Sequence, residues 1–304
     1  MIRDNKLEQY MERCEKMDRP ITAEMFLTDY CNLKCGYCRY SNDSGKYMHF
    51  NDFVAYATKL IQMGVRGIIL TGGGEPTLNP EFEKITGWLE RNNVSYGVNT
   101  NLCSLILCKA NFIKVSIDTG DAERYEKLRG RNKLQDVLIH LRDLVEYKKR
   151  GSFNLKIGVQ CVAANRESDV ISFYDAVKGF DVDYIYIRPI EGIGRTGLSK
   201  EAIKELLPIE EDKRIILSYK FDLVDYVAPW CLANWSVITV DVDGNVPYCC
   251  HRPNEIVGHV LDLDIMAAKK FHHVDMRQCE KPCRLSGANK YMEDLQRERD
   301  IDFV

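Results

Sequence analysis

Apolar and polar positions along the chain predict a repeated order of strands and helices. Short runs rich in apolar residues predict strands over 21–29, 65–70, 95–100, 112–117, 155–163 and 184–189. Between these runs, apolar residues at helical spacing predict helices over 51–63, 81–92, 125–150 and 168–178. Strands that alternate with helices indicate parallel strands joined by right-handed crossovers. The pattern therefore predicts an α/β fold with six strands.

The two ends of the chain depart from this rhythm. Residues 1–19 are polar and charged with apolar positions at helical spacing, which predicts a helix that ends at Pro20. From about residue 210 the alternation is lost and cysteines become frequent. We therefore expect an N-terminal helix over 1–19, an α/β part over 20–215 and a small Cys-rich part over 216–304. In the last part, residues 241–245 predict a hairpin turn between two strands.

Composition and charge limit the classes of function. The chain has 304 residues, 45% of them hydrophobic, and a net charge of −3. It therefore gives no bulk electrostatic reason to bind nucleic acid or an anionic membrane. No apolar run approaches the roughly 20 residues of a membrane span, and the polar start is no signal peptide. We expect a cytoplasmic protein, in which the 12 cysteines are metal ligands rather than disulfides.

The loop after the first predicted strand holds three thiols, Cys31, Cys35 and Cys38. Thiolates in this number suit zinc or an iron–sulfur cluster. Both kinds of site ordinarily need four ligands, but the next cysteine is Cys103 and the nearest histidine is His49. One coordination position is therefore left open. A zinc loop or three buried thiols is the alternative.

The second predicted strand leads into a glycine strip, which we define as Gly72, Gly73 and Gly74 and which precedes Glu75 and Pro76. Consecutive glycines let the backbone turn sharply and approach a ligand closely. A structural zinc loop has no use for a second strand end of this kind. The strip and the thiols together therefore favour a cofactor site.

The C-x3-C-x2-C spacing and the GGEP element together resemble the signature of the radical SAM superfamily. This resemblance covers most of residues 20–285 and implies a partial (β/α)6 barrel of the TIM type. Such barrels place their chemistry at the carboxyl ends of the strands. The resemblance also implies a [4Fe–4S] cluster on the three cysteines, with an open iron that binds S-adenosylmethionine (SAM). A flavodoxin- or ferredoxin-type protein would be the electron donor.

The same resemblance assigns further site residues to the strand ends. It implies that the glycine strip and Glu75 contact the SAM amino group and that Tyr37 lies by the adenine. It also places Asn101 and Ser116 or Asp118 near the ribose and methionine, and Arg188 near the carboxylate or the substrate. Glu191 is a further catalytic candidate. Each of these polar residues has an alternative role as an ordinary cap of a strand end.

A second group of cysteines follows residue 215. Cys231, Gly244 and Cys249 form a C-x12-G-x4-C pattern, and Cys279 and Cys283 follow. This pattern resembles the auxiliary-cluster domain of the SPASM/twitch group. Leu128-Arg129-Gly130, after the fourth strand, resemble the fourth-strand region of radical SAM proteins that carry such an extension. Four thiolates imply one auxiliary [4Fe–4S] cluster. The seven cysteines of a full SPASM domain are absent, so the extension is twitch-like. A structural zinc site is the alternative.

The remaining cysteines have no metal-ligand spacing. Cys250 is surplus to the second group and is a candidate hydrogen-atom donor, against an inert role. Cys14, Cys103, Cys108 and Cys161 are predicted to be small buried residues.

The resemblance implies an enzyme that abstracts hydrogen from its substrate. About twenty residues precede the first strand, too few for a leader-recognition domain. We therefore expect a small molecule (a sugar, aminocyclitol or nucleotide) to be oxidised or epimerised. A maturase of a leaderless peptide, making a crosslink, thioether or D-residue, is the alternative. A non-catalytic metal-binding or electron-transfer protein is a further alternative, but it would need neither the open position nor the glycine strip.

Overall fold

The computed structural model describes residues 19–38, 40, 44–151, 153–163, 166–191, 197–223, 231, 233–272, 274–276, 279 and 283–301. The predicted N-terminal helix lies, apart from residue 19, outside the described residues. The strands are β1 (Thr22–Phe26), β2 (Gly67–Thr71), β3 (Ser95–Thr100), β4 (Phe112–Ser116), β5 (Lys156–Ala163), β6 (Tyr184–Pro189), β7 (Ile215–Leu217), β8 (Val237–Val240), β9 (Asn245–Pro247) and β10 (Ile256–His259). The helices are α1 (Phe50–Gln62), α2 (Phe82–Arg91), α3 (Ala122–Arg129), α4 (Leu134–Arg150), α5 (Glu167–Val177), α6 (Lys200–Leu206), α7 (Ile265–Phe271) and α8 (Ser286–Ile301).

Eight strands form one sheet in the order β7-β6-β5-β4-β3-β2-β1-β8. All neighbours in it are parallel; Thr22 of β1, for example, lies opposite Gly67 on one side and Val237 on the other. The edge strands β7 and β8 do not pair with each other in the described part of the chain, so the sheet is open. This arrangement confirms the predicted partial α/β barrel and extends its six predicted strands by two.

Several helices contribute buried apolar residues to the core that includes the sheet, such as Ile85 of α2, Val137 of α4 and Phe173 of α5. In α1 the buried residues are Phe53, Tyr56, Ala57 and Leu60, which recur at the spacing of one helix face. The strands β2, β4 and β5 contribute fully buried Leu70, Val115 and Val159 to the same core. Burying each large apolar side chain stabilises the fold by about 1.5–3 kcal/mol.

The region 125–150 is mostly helical, as predicted, and two helices occupy it. Gly130 has a φ of 77° and ends α3 in the left-handed conformation, which glycine adopts without steric cost. Its amide donates to the carbonyl of Glu126 (2.7 Å) as a helix cap. The break also brings the end of α3 against Lys34, in the loop that carries the three cysteines.

The Cys-rich part returns to the main sheet. The predicted turn over 241–245 is confirmed by the Asp241 amide, which donates to the Asn245 carbonyl (2.9 Å), and by Gly244, whose φ is 84°. The predicted hairpin around it was wrong, because β8 pairs in parallel with β1 and β9 pairs antiparallel with β10. The apolar pattern of β8 identifies it as a strand. Its partner β1 lies more than 200 residues earlier in the sequence, so no local sequence pattern indicates their pairing.

The main sheet thus contains strands on both sides of position 215, where we placed a domain boundary. Within the described residues, every helix is too short or too polar to span a bilayer.

Candidate metal centres and active site

The loop after β1 carries Cys31, Cys35 and Cys38 at the carboxyl end of the sheet. Cys31 and Cys35 are half-buried and Cys38 is exposed. The Cys38 amide donates to the Cys35 carbonyl (3.0 Å), and the Leu33 amide donates to Cys31 Sγ (3.5 Å). The structure therefore brings the three predicted thiols together in one compact turn.

The glycine strip after β2 lies directly against this loop. The Gly74 amide donates to the Thr28 carbonyl (2.8 Å), and the Glu75 amide donates to the Tyr30 carbonyl (2.9 Å). A Cβ on Gly74 would lie 2.0 Å from the Tyr30 carbonyl oxygen, whereas a Cβ on Gly73 would meet nothing closer than 3.8 Å. Gly74 is therefore required by backbone packing, while Gly73 leaves room beside the loop.

The end of α3 holds the loop from its other side. The Lys34 amide donates to the Arg129 carbonyl (2.8 Å), and the Gly36 amide donates to the Leu128 carbonyl (3.1 Å). These carbonyls belong to the last turn of a helix, where they have no partner within the helix. The loop therefore caps α3, and α3 in turn fixes the loop.

Glu75 is buried and joins the ends of β2 and β3. Its Oε1 accepts from the hydroxyls of Thr100 (2.6 Å) and Thr77 (2.9 Å), and its Oε2 accepts from the Asn101 amide (2.7 Å). Burial raises the pKa of this carboxyl, although the hydrogen bonds oppose the shift. The geometry shows a carboxylate that already has internal donors, so a contact with the SAM amino group stays a prediction.

The other predicted SAM contacts lie on the same edge of the sheet. Asn101 Nδ2 donates to Asn32 Oδ1 (2.8 Å) and lies 3.8 Å from Cys31 Sγ. Ser116 is the last residue of β4. The Tyr37 hydroxyl donates to Asp118, which makes an ion pair with Arg129 (2.7 Å). The structure thus gathers these predicted residues around the thiols, and their assignment to SAM stays a prediction.

The surroundings of the three thiols fit an iron–sulfur cluster. Burial raises the pKa of Cys31 to about 11, and that of Cys35 also rises, although Arg129 opposes the second shift. Arg129 Nη1 lies 3.7 Å from Cys35 Sγ, and the buried Arg129 Nε has no acceptor among the described residues. A buried donor without an acceptor is costly, which favours sulfur or another acceptor that arrives with a cofactor. Binding would release the thiol protons.

The second group of cysteines also comes together. Cys231 and Cys283 pack against a small apolar core formed by Ala233, Trp235, Val237, Leu285 and Ala288. Burial raises the pKa of Cys231 to about 12 and that of Cys283 to about 11. The nearby thiol of Cys249 contributes to both increases. Cys249 acts on Cys279 in the same way. The fold therefore collects all four predicted auxiliary ligands.

Cationic and amide donors surround this second group. Asn289 Nδ2 lies 3.7 Å from Cys231 Sγ, and Arg252 Nη2 lies 3.9 Å from Cys279 Sγ. Lys269 is 1% exposed and donates to Asn234 Oδ1 (2.8 Å). Burial lowers the pKa of Lys269 to about 8, and the nearby thiols Cys249 and Cys231 oppose the shift. These donors fit an anionic thiolate-bound group.

In the described part of the chain, neither group of cysteines closely surrounds the position of a single metal ion. Within the described ranges, no three His, Cys, Asp or Glu side chains are placed to hold one metal ion. Two further thiols, Cys108 and Cys161, are buried as predicted, and Cys103 is half-buried. Cys14 lies outside the described residues. The assignment of ligands to either site stays a prediction.

A charged group lies between β6 and the second group of cysteines. It consists of Glu191, Arg188, Lys220 and His251, and we call it the Glu191 group. Arg188 Nη1 lies 3.2 Å from Glu191 Oε1, which also accepts from Lys220 Nζ. His251 Nε2 lies 3.8 Å from Glu191 Oε2. Burial raises the pKa of Glu191, but Lys220 and Arg188 outweigh this effect and hold it well below its usual range.

Cys250 lies beside this group. Its carbonyl accepts from the Tyr40 hydroxyl, and burial raises the pKa of its thiol well above its ordinary value. The thiol is therefore protonated at neutral pH.

Sequence reasoning missed several residues that shape the site. Arg129 stood within a noted motif but received no role, although it contacts Cys35. Lys220, His251 and Lys269 carry no motif, so no sequence signal identified them.

Parallel strands, a three-cysteine loop and a glycine strip at their carboxyl edge are the parts of a radical SAM enzyme. Residues 25–159 match the family model described as the Radical SAM superfamily. That segment includes both the cysteine loop and the glycine strip. The chain therefore contains a radical SAM domain over these residues, and enzymes with such a domain use a [4Fe–4S] cluster and SAM.

Curated relatives include GTP 3′,8-cyclases. The enzyme of Listeria welshimeri is 24% identical over 220 residues, which cover 66% of this chain and 63% of that protein. The probable GTP 3′,8-cyclase of Saccharolobus islandicus is 23% identical over 279 residues, covering 82% of this chain and 89% of that protein. The chain thus spans less than two thirds of the Listeria relative.

Two solved structures share the fold. Streptococcus suis SuiB bound to S-adenosylmethionine has a TM-score of 0.61 and 17% identity, covering 81% of this chain and 65% of that chain. The anSMEcpe structure with bound AdoMet and Cp18Cys peptide also has a TM-score of 0.61 and 17% identity, covering 84% and 81%. At these identities the likeness is one of fold.

Proposed function

We propose that this chain cleaves SAM reductively at Cys31, Cys35 and Cys38 and abstracts hydrogen from an anionic small molecule, for which a nucleotide is the best candidate. The [4Fe–4S] cluster and SAM supply a 5′-deoxyadenosyl radical when both are bound. Cys31, Cys35 and Cys38 would hold the cluster, and a flavodoxin- or ferredoxin-type donor would supply the electron that SAM cleavage consumes. The hydrogen atom taken from the substrate would then be found in 5′-deoxyadenosine.

One observation carries this proposal: the fold locks the three-cysteine loop against the glycine strip. The hydrogen bonds from Gly74 and Glu75 to the loop place both motifs at one edge of the sheet. Gly73 keeps an open backbone there, which suits the close approach of a ligand. In this proposal the strip, Asn101 and residues 116–118 hold SAM, while Tyr37 lies by its adenine.

The charge of the Glu191 group supports an anionic substrate. Arg188 and Lys220 carry two positive charges against the single carboxylate of Glu191. Within the described part of the chain the two cations share this one carboxylate. A buried cation without its own counter-charge is costly, so a phosphate or carboxylate of the substrate would stabilise the group. The names of the curated relatives contain GTP, which favours a nucleotide over a sugar or an aminocyclitol. A leaderless peptide is the competing substrate.

The fate of the substrate radical depends on the Cys-rich part. We propose that Cys231, Cys249, Cys279 and Cys283 bind an auxiliary [4Fe–4S] cluster, which supplies an electron acceptor if the reaction is an oxidation. The protonated thiol of Cys250 supplies a hydrogen atom if the reaction is an epimerisation, and the external donor then restores the thiol with an electron and a solvent proton. The relatives' name adds cyclisation as a third outcome.

Cluster content and reductive SAM cleavage are tested on anaerobically reconstituted protein with a strong reductant. We expect about eight irons per chain for two clusters and formation of 5′-deoxyadenosine. Replacing Cys31, Cys35 and Cys38 together with alanine should abolish this product and leave about four irons. Cys108→Ala, at a buried thiol outside both groups, is the matched control. Retained SAM cleavage in the triple variant would contradict the proposal.

The substrate is tested by deuterium transfer. Deuterated GTP, other nucleotides and a leaderless peptide are each supplied, and deuterium is measured in 5′-deoxyadenosine. Transfer from a nucleotide that weakens in Arg188→Met would support the anionic site. Transfer only from the peptide would overturn the choice of substrate while leaving SAM cleavage intact.

A further inference from the structure

We infer that Arg129 is a positioning residue that favours reduction of the cluster held by the three-cysteine loop, through its contact with Cys35. The inference rests on the proposed function, because it assigns a role toward that cluster. It differs from the SAM contacts implied by the resemblance, which give Arg129 no part.

Arg129 is the cation closest to the thiol of Cys35 among the contacts that the structure describes. Its Nη1 lies 3.7 Å from Cys35 Sγ, and the side chain is 5% exposed. The rings of Tyr37 and Tyr125 each lie 5.8 Å from its guanidinium carbon. Burial among aromatic rings keeps water away, so solvent screens its charge little. The carboxylate of Asp118 acts on Cys35 in the opposite direction, but the effect of Arg129 on the pKa of Cys35 is the larger of the two.

Asp118 holds the guanidinium in place. It forms the ion pair with Arg129 Nη2 (2.7 Å), and its Oδ1 accepts from the Val162 amide (3.0 Å). Asp118 has a φ of 72°, an uncommon conformation for a residue other than glycine. A strained backbone persists where its surroundings determine it, and such sites are often functional. Asp118 lies two residues after the end of β4, and its carboxylate contacts Arg129.

The backbone of the same residue fixes the loop. The Arg129 carbonyl accepts from Lys34, the neighbour of Cys35, and the adjacent Leu128 carbonyl accepts from Gly36 on the other side. Cys35 is therefore held at both flanking amides by the turn that carries its cationic partner. The loop and the backbone that carries the Arg129 side chain are therefore joined directly.

This arrangement has a chemical consequence. Reduction adds a negative charge to an iron–sulfur cluster, and its potential depends on nearby charge and on hydrogen bonds to its sulfurs. A buried guanidinium at Cys35 favours the reduced state. Removing the charge should therefore lower the reduction potential without removing a ligand.

The test compares Arg129→Met and Arg129→Lys in the reconstituted holoenzyme. Arg124→Met is the matched control, because Arg124 lies on the same helix and pairs with buried Asp169 (3.0 Å). The midpoint potential is followed by EPR titration, and the signal that changes on addition of SAM identifies the relevant cluster. Iron and sulfide are counted in every variant.

For Arg129→Met we expect the reduced-to-oxidised ratio at a given potential to fall about tenfold, which is 59 mV for one electron. Arg129→Lys should recover part of this loss, and Arg124→Met should match the wild type. An unchanged potential in Arg129→Met with full iron would overturn the inference. If Arg129→Met holds no iron, Arg129→Gln, which also removes the charge, takes its place, and a wild-type potential there would overturn the inference. A wild-type chain whose EPR signal ignores SAM would instead overturn the proposed function.

Discussion

Replacing Gly74 with alanine tests whether the glycine strip is fixed by backbone packing against the cysteine loop. The added Cβ would lie 2.0 Å from the Tyr30 carbonyl oxygen, and ordinary contacts begin at 3.4 Å. The two segments would therefore have to separate by about 1.4 Å. Because the obstructing atoms are backbone, no side-chain rotation can relieve the clash.

The separation would weaken two hydrogen bonds, from the Gly74 amide to Thr28 and from the Glu75 amide to Tyr30. Each net hydrogen bond contributes about 0.5–1.5 kcal/mol, and overpacking costs about 1–3 kcal/mol. We therefore expect Gly74→Ala to lower the free energy of unfolding by about 2–6 kcal/mol. This is a large share of the about 5–15 kcal/mol that stabilises a typical domain.

Gly73→Ala is the matched control for stability. Its added Cβ would meet only ordinary contacts at 3.8 Å, and its φ is not in the left-handed region. Alanine at such a position stabilises a protein by about 0.4–1 kcal/mol by restricting the unfolded chain. The two neighbouring substitutions should therefore have opposite signs.

The assay is urea denaturation of both variants and the wild type under reducing conditions, followed by circular dichroism. Iron content after reconstitution gives a second measure of loop integrity. Equal stability of the two variants, within about 0.5 kcal/mol, would refute the packing argument.

Two further predictions concern residues on either side of the sheet. Asp183 accepts from Lys148 Nζ (2.5 Å) and from the Ile157 amide (2.7 Å) and also pairs with Lys156 (3.2 Å), and these hydrogen bonds outweigh burial and lower its pKa. Asp183→Asn should therefore destabilise the fold by about 1–2 kcal/mol at pH 7. A carboxyl whose pKa is lowered in the folded state stabilises the protein above its unfolded pKa of about 3.9, so the difference in stability between variant and wild type should shrink below about pH 4. Denaturation at several pH values measures this difference, and a constant difference would contradict the prediction. Cys250→Ala should leave the iron content unchanged, and a loss of iron in metal analysis would instead make Cys250 a ligand.

The sequence by itself determined the parts that depend on neighbouring residues. The strands over 95–100 and 184–189 lie where the apolar pattern predicts them, and the other predicted strands have the correct order. The three thiols and the glycine strip were also readable, because their chemistry lies in contiguous residues. Their common edge follows from parallel topology, since every strand ends on the same side.

Only the tertiary structure decided which distant residues meet. The pairing of β8 with β1 joins Val237 to Thr22 across the length of the chain, and either strand alone has an ordinary apolar pattern. The contact of Arg129 with Cys35 depends on the helix break at Gly130 and on the turn of Asp118. The Glu191 group likewise draws Lys220 and His251 from separate segments. Such contacts carry no local periodicity, because burial and charge pairing act between residues that only the folded chain brings together.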